Sequence, residues 1–204
     1  METSIRKMIR IGVVLGSLIG ASSAAEAGTV VVNFDDLTGS GTVADGYGGV
    51  NWGGEWTYFD SEQPPYTPAS PYTRVYGVNP NTGGYSATPS FTFGTNVVFD
   101  GAYFSGYESD PVYFQLYLNG TLVHTSATLA PSDVPTFLDS GYSGPVDKVT
   151  MVAAMPGFYA MDDVTYDTIN ATVPEPSSVV MLGAGGLALA LGAARRRGAR
   201  MASA

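Results

Sequence analysis

Short runs of alternating apolar and polar residues recur between Thr29 and Tyr166, broken by Gly, Pro, Asn and Asp. Alternation with period two puts one set of side chains on a buried face and the other on a solvated one, the pattern of a half-buried β-strand. Strands are predicted at Thr29–Phe34, Gly49–Tyr58, Arg74–Val78, Ser90–Phe93, Val97–Tyr107, Val112–Leu118, Thr121–Thr125, Thr136–Leu138, Val146–Ala153 and Phe158–Tyr166. No helical period of any length interrupts them. Short strands separated by turn signals predict an all-β fold, a β-sandwich of jelly-roll-like form. The 146 residues from 28 to 173 make one domain by length, long enough to bury a core.

The clearest local element is Val112–Thr125, VYFQLYLNGTLVHT. Asn119-Gly120 between two strand runs predicts a two-residue type I′ hairpin. In that register Leu118 faces Thr121, Tyr117 faces Leu122, Leu116 faces Val123 and Gln115 faces His124. Val112, Phe114, Leu116, Leu118 and Val123 then form a core face. Tyr113, Gln115, Tyr117, Leu122 and His124 form a polar and aromatic face that includes the one His of the chain. Tyr rings stack on sugar rings while Gln and His hydrogen-bond hydroxyls, so this face is a candidate sugar platform. Tyr and Thr are also good strand formers, so the same pattern serves an ordinary solvated face.

The two ends follow a different pattern. Arg6, Lys7 and Arg10 precede an apolar run, Ile11 to Ile19, and a small-residue segment ending Ala25-Glu26-Ala27. Residues 1–27 therefore read as a secretory signal peptide, with a helix too short to span a membrane in the mature protein. At the other end, residues 174–204 carry Pro174-Glu175-Pro176, then 16 uncharged residues from Val179 to Ala194, then Arg195-Arg196-Arg197. Sixteen helical residues reach about 24 Å, slightly under a hydrocarbon core of about 30 Å. A C-terminal transmembrane helix is predicted, with its Arg-rich end on the cytoplasmic side.

Charge sharpens this division. The chain carries a net charge of −9, but seven of its nine cations lie in the two end segments. Residues 28–173 keep only Arg74 and Lys148 against 15 carboxylates. A body this acidic repels phosphate backbones, so nucleic acid is excluded as a partner. With no Cys, disulfides, thiolate metal sites and a Cys nucleophile are excluded as well. One His allows no His-rich metal site.

Three further features bear on chemistry. Trp52 and Trp56 lie in the Gly-rich segment Gly46–Tyr58. One is expected in the core and the other on the rim, where an exposed ring stacks on sugar. Residues 61–89 hold six Pro and four Tyr, a long loop that is either functional or a wrap over a sheet edge. Asp35-Asp36 follow the first strand and Asp162-Asp163 sit inside the last, where buried carboxylates need something to neutralise them. First and last strands often meet in sandwiches, so the two pairs are candidate ligands for a structural Ca²⁺. Two solvated acidic strand ends would give the same sequence.

Pro174-Glu175-Pro176, an apolar helix and a terminal Arg cluster together resemble the PEP-CTERM sorting signal. The resemblance implies recognition by an exosortase-type processing enzyme, an inner-membrane-anchored precursor, and a final place in the cell envelope or outside the cell. It also implies a bacterium that makes extracellular polysaccharide. More loosely, Val32-Asn33-Phe34-Asp35-Asp36-Leu37, Gly46 to Trp52 and Met161 to Tyr166 resemble segments of a recurring PEP-CTERM exoprotein type. That layout also looks like carbohydrate-binding modules, whose first and last strands can hold Ca²⁺. No catalytic motif carries over. The expected function is that of an exported, non-catalytic envelope or matrix protein, with polysaccharide as candidate ligand. The alternatives are a secreted carbohydrate-active hydrolase working through two carboxylates, and a purely structural surface protein.

Overall fold

A computed structural model describes residues 28–169. The expected signal peptide, the segment 174–204 and the helices expected in both lie outside the described residues. Within them the chain forms eleven strands and one short 3₁₀ turn. These are β1 (Thr29–Val32), β2 (Ser40–Thr42), β3 (Val50–Asn51), β4 (Trp56–Phe59), β5 (Arg74–Gly77), β6 (Ser90–Gly106), β7 (Val112–Leu118), β8 (Thr121–Thr125), β9 (Thr136–Asp139), β10 (Val146–Ala153) and β11 (Tyr159–Thr168). The 3₁₀ turn is Tyr47–Gly49.

All strand pairs are antiparallel, in the order β2-β4-β5-β11-β6-β10-β7-β8, with β1 added to β11 and β3 and β9 added to β6. The 17-residue β6 is the hinge of this arrangement. Its first part pairs with β3 and β10, and its second part with β11 and β9. One strand thus serves two layers, and the layers close on each other. Phe104 in the second part of β6 lies 5.5 Å from Phe114 of β7, ring to ring. This is the sandwich-like all-β fold that the alternation predicts.

The core is largely aromatic. Phe34, Trp52, Trp56, Phe91, Phe99 and Phe114 are each at most 1% exposed, and successive rings meet mostly edge to face. That geometry sets the positive ring edge against the negative ring face.

Three local expectations are corrected. Ser90–Phe93 and Val97–Tyr107 are one strand. The break at Gly94–Asn96 is an exposed stretch where β6 passes between layers, and no turn forms there. Gly49–Tyr58 is two strands, because Gly53 and Gly54 both take positive φ and turn the chain between β3 and β4. The hairpin turn forms as expected, with Asn119 and Gly120 both at positive φ. Leu118 pairs with Thr121 and Tyr117 with Leu122, but then a bulge intervenes, and Leu116 pairs with His124 and Gln115 with Thr125. One extra residue in β8 shifts every later pair by one position.

Candidate functional site

The outward side of β7 carries Tyr113, Gln115 and Tyr117, all half-buried, while Val112, Phe114 and Leu116 point into the core. Directly opposite on β10 stand Val152, Thr150 and Lys148 in the same order. Directly opposed residues of antiparallel strands share a face. The platform therefore extends from three β7 residues to Thr150 and Lys148, and on to Ser90 and Thr92 of β6. The Tyr117 hydroxyl donates to Gln115 Oε1 at 3.0 Å, and Lys148 Nζ lies 5.6 Å from the centre of the Tyr117 ring. An amide and an ammonium thus flank one partly open ring.

The bulge removes His124 from this face. Its ring stacks on Tyr142, centroids 5.3 Å apart and nearly parallel, on the side where Leu116 packs. Neither Trp is on a rim. Trp52 and Trp56 are both 0% exposed, and their indole N–H groups donate to Tyr47 O and Ser90 O at 3.0 and 2.9 Å. The Gly-rich segment around them is built for close approach. A Cβ on Gly48 would sit 2.5 Å from Val32, and one on Gly49 2.5 Å from the Tyr166 hydroxyl.

The carboxylate pairs do converge, because β1 pairs with β11 and brings Val32 opposite Val164. The four Asp residues take different positions there. Asp162 is 3% exposed, and its carboxylate accepts the Ala69 and Ser70 N–H groups at 2.8 and 3.1 Å and the Asp163 N–H at 2.8 Å. Burial, the largest influence, pushes its pKa up to about 7 against those donors. Asp36 takes the Tyr47 hydroxyl, and burial together with that bond pushes the phenol up. Asp35 and Asp163 each keep one buried oxygen, Oδ1, without a hydrogen-bond donor. Burial raises Asp163, and the charge of Asp35 raises it further. Asp163 sits at positive φ, in a bulge between Asp162 and Thr165. Paired orphan carboxylate oxygens suit a hard cation. Among the described residues, however, no group of three or more His, Cys, Asp or Glu is arranged to hold a metal ion.

The last residues of 61–89 run beside β10 at the edge of the platform, with Pro89 O and Ala87 O accepting the Met151 and Ala153 N–H groups at 3.0 and 2.8 Å, while the rest of the segment lies elsewhere. Its side chains and amides reach the other end of the sheet, with the Tyr66 hydroxyl on Gly157 O at 2.8 Å and Ala69 and Ser70 on Asp162. There it borders two adjoining cavities that strand patterns could not reveal. Its Pro and Tyr content was the one signal.

A family model described as the PEP-CTERM protein-sorting motif matches residues 172–197, which include Pro174-Glu175-Pro176 and Arg195 to Arg197. The motif marks an exported protein that is sorted to the envelope. No curated protein matches the chain. Two solved structures are similar to it, both mutants of a family 29 carbohydrate-binding module. One, a tyrosine-to-alanine mutant, has 13% identity and a TM-score of 0.38, over 70% of this chain and 93% of that one. The other, an aspartate-to-alanine mutant complexed with mannohexaose, has 13% identity and a TM-score of 0.35 over the same shares.

Proposed function

We propose that the protein, exported and sorted through its PEP-CTERM motif, is a non-catalytic envelope or matrix component that binds neutral polysaccharide on the β7–β10 face. Processing at Pro174-Glu175-Pro176 by an exosortase-type enzyme would release it from an inner-membrane precursor. The observation that carries the binding reading is the partly open Tyr113–Gln115–Tyr117 row, with Tyr117 flanked by Gln115 and Lys148. A flat face of this kind meets the side of a long polymer, with rings against C–H surfaces and the amide against hydroxyls. The acidic body supports a neutral polymer over an anionic one.

The non-catalytic reading is supported by where the titratable groups lie. His124 is stacked on Tyr142. Asp162 and Asp110, buried carboxylates with raised pKa values, are held by backbone N–H groups. The test is retention on immobilised neutral polysaccharides, with alginate as the anionic control. Tyr117→Ala should weaken retention on the neutral polymers by about tenfold, or 1.4 kcal/mol. Retention unchanged by both Tyr113→Ala and Tyr117→Ala would sink the platform.

A second reading concerns the orphan oxygens. We propose that Ca²⁺ bridges Asp35 and Asp163, completed by backbone oxygens, and neutralises the β1–β11 junction. Calcium should then raise the melting midpoint and a chelator lower it. A midpoint indifferent to both removes the ion.

A further inference from the structure

The long loop expected at 61–89 is interrupted by β5, and the segments on either side of it join rings of β4 and β5 in an aromatic chain outside the main core cluster. Tyr85 meets Tyr76 at 5.5 Å, Tyr76 meets Phe59 at 5.6 Å, and Phe59 meets Tyr66 at 6.4 Å. Tyr66 continues to Tyr107 at 5.8 Å and Tyr107 to Phe158 at 5.3 Å. Rings this numerous would normally be buried. Here Tyr85 is 62% exposed, Tyr107 44% and Phe158 40%.

Two cavities open along this chain. The larger, about 410 Å³, is bordered by Asp60, Glu62, Gln63, Tyr66, Tyr72 and Arg74, among others. The smaller, about 130 Å³, lies on the other side of Gln63 and Tyr66, which border both, and is lined by Tyr76 and Tyr85. The larger volume alone falls in the range of roughly 300–1,000 Å³ typical of small-molecule sites.

Arg74 shows that the larger cavity is a built site. It is 2% exposed, with its guanidinium 4.0 Å from the centre of the Phe59 ring. Its two terminal nitrogens donate to Tyr72 O at 2.9 Å and Ser61 O at 2.7 Å. Its Nε–H has no partner. A buried donor left unmade is costly. The Tyr72 carbonyl held by Arg74 belongs to a residue at φ +82, and that residue presents a ring that is 75% exposed. A left-handed aromatic residue is strained, and strain of this kind persists where the surroundings hold it in place.

We propose that these joined cavities are a binding cleft for a short neutral oligosaccharide segment or chain end, separate from the β7–β10 face. Tyr72 and Tyr85 stack on sugar C–H faces at the two ends. Gln63, shared by both cavities, bonds hydroxyls on either side, and Asp60 and Glu62 accept from hydroxyls in the larger one. Arg74 forms the positive wall of the larger one. Two carboxylates against one carbonyl-held guanidinium turn away uronate chains, so the occupant is uncharged. The inference does not depend on the platform reading, because it uses none of the same residues.

The test uses the full-length chain in detergent, carrying Tyr113→Ala and Tyr117→Ala so that the flat face is disabled. Calorimetric titration with neutral gluco-, manno- and galacto-oligosaccharides should give saturable binding to at least one series, and oligogalacturonate none. Adding Tyr72→Ala or Tyr85→Ala should weaken that binding by about tenfold each. Both rings are exposed, so the melting midpoint should stay unchanged and confirm that the variants fold. No binding to any neutral series overturns the proposal. So does equal binding of oligogalacturonate, or binding that survives both Tyr variants. Self-association through the cleft, seen by light scattering and lost in Tyr72→Ala, would instead assign these rings to a protein contact and overturn it too. Failure in this background leaves polymer retention by the unmodified face to be judged on its own.

Discussion

Trp52 separates two roles that one residue type can play. A rim indole would stack on ligand and add little to stability, whereas a core indole does the reverse. In the structure Trp52 is 0% exposed and packs edge to face on Phe34 at 5.4 Å and on Trp56 at 5.9 Å, with Phe91 at 5.3 Å. An aromatic side chain buries roughly 150–250 Å². At about 25 cal/mol per Å², that is roughly 4–6 kcal/mol, an upper figure because unfolded chains already hide part of this surface. Measured Trp-to-Ala losses in cores run about 3–5 kcal/mol. We therefore expect Trp52→Ala to cost about 4 kcal/mol, including the lost bond to Tyr47 O. For a domain of this size that lowers the midpoint by about 12 °C. The assay pairs thermal melting by circular dichroism with polysaccharide retention measured well below the lowered midpoint. Melting should fall steeply while retention persists. An unchanged midpoint with lost retention would place the ring on the surface and refute the argument.

Two other outcomes follow from the carboxylates. Asp110 is 0% exposed, with Oδ1 accepting the Met155 N–H and Oδ2 unpartnered, and burial raises its pKa. A carboxyl raised in the folded state binds its proton more tightly there than in the unfolded chain. The contribution of Asp110 to stability is thus most favourable at acid pH and falls as pH climbs from the ordinary carboxylate range through the raised value. Asp110→Asn keeps the acceptor and removes the charge, so the midpoint at neutral pH should rise by about 3 °C, or about 1 kcal/mol. A lower midpoint across the whole pH range would contradict this. For the cation reading, Asp35→Asn and Asp163→Asn should each abolish the calcium-induced rise in midpoint, whereas Asp36→Asn should spare it. Equal loss in all three would assign the effect to general acidity.

Much of the architecture was legible locally. The alternation of β7 and β10 needs only residues two apart to choose a face, and Val112–Leu118 and Val146–Ala153 form as predicted. Asn119-Gly120 makes its turn because both residues tolerate positive φ. The bulge in β8 was not legible, since nothing in TLVHT marks Val123 as the extra residue. The packing of His124 on Tyr142, a neighbour distant in sequence, accompanies that choice.

What the sequence alone determined is the sorting motif near the C-terminus, Pro174-Glu175-Pro176 followed by an apolar run and an Arg cluster. Such signals work as linear strings of charge and hydrophobicity, so order and spacing are enough. Tertiary structure decided everything that depends on what lies opposite. It buried both indoles, because Phe34 and Phe91, on other segments of the chain, pack against Trp52, and Phe91 packs against Trp56. It brought Asp35 to Asp163 through the pairing of the first and last strands, and left one oxygen of each without a donor. It also folded a Pro- and Tyr-rich loop against Gly157 and Tyr107 to make a cleft. A cleft exists only between segments far apart in the chain, and no local pattern encodes the distance between them.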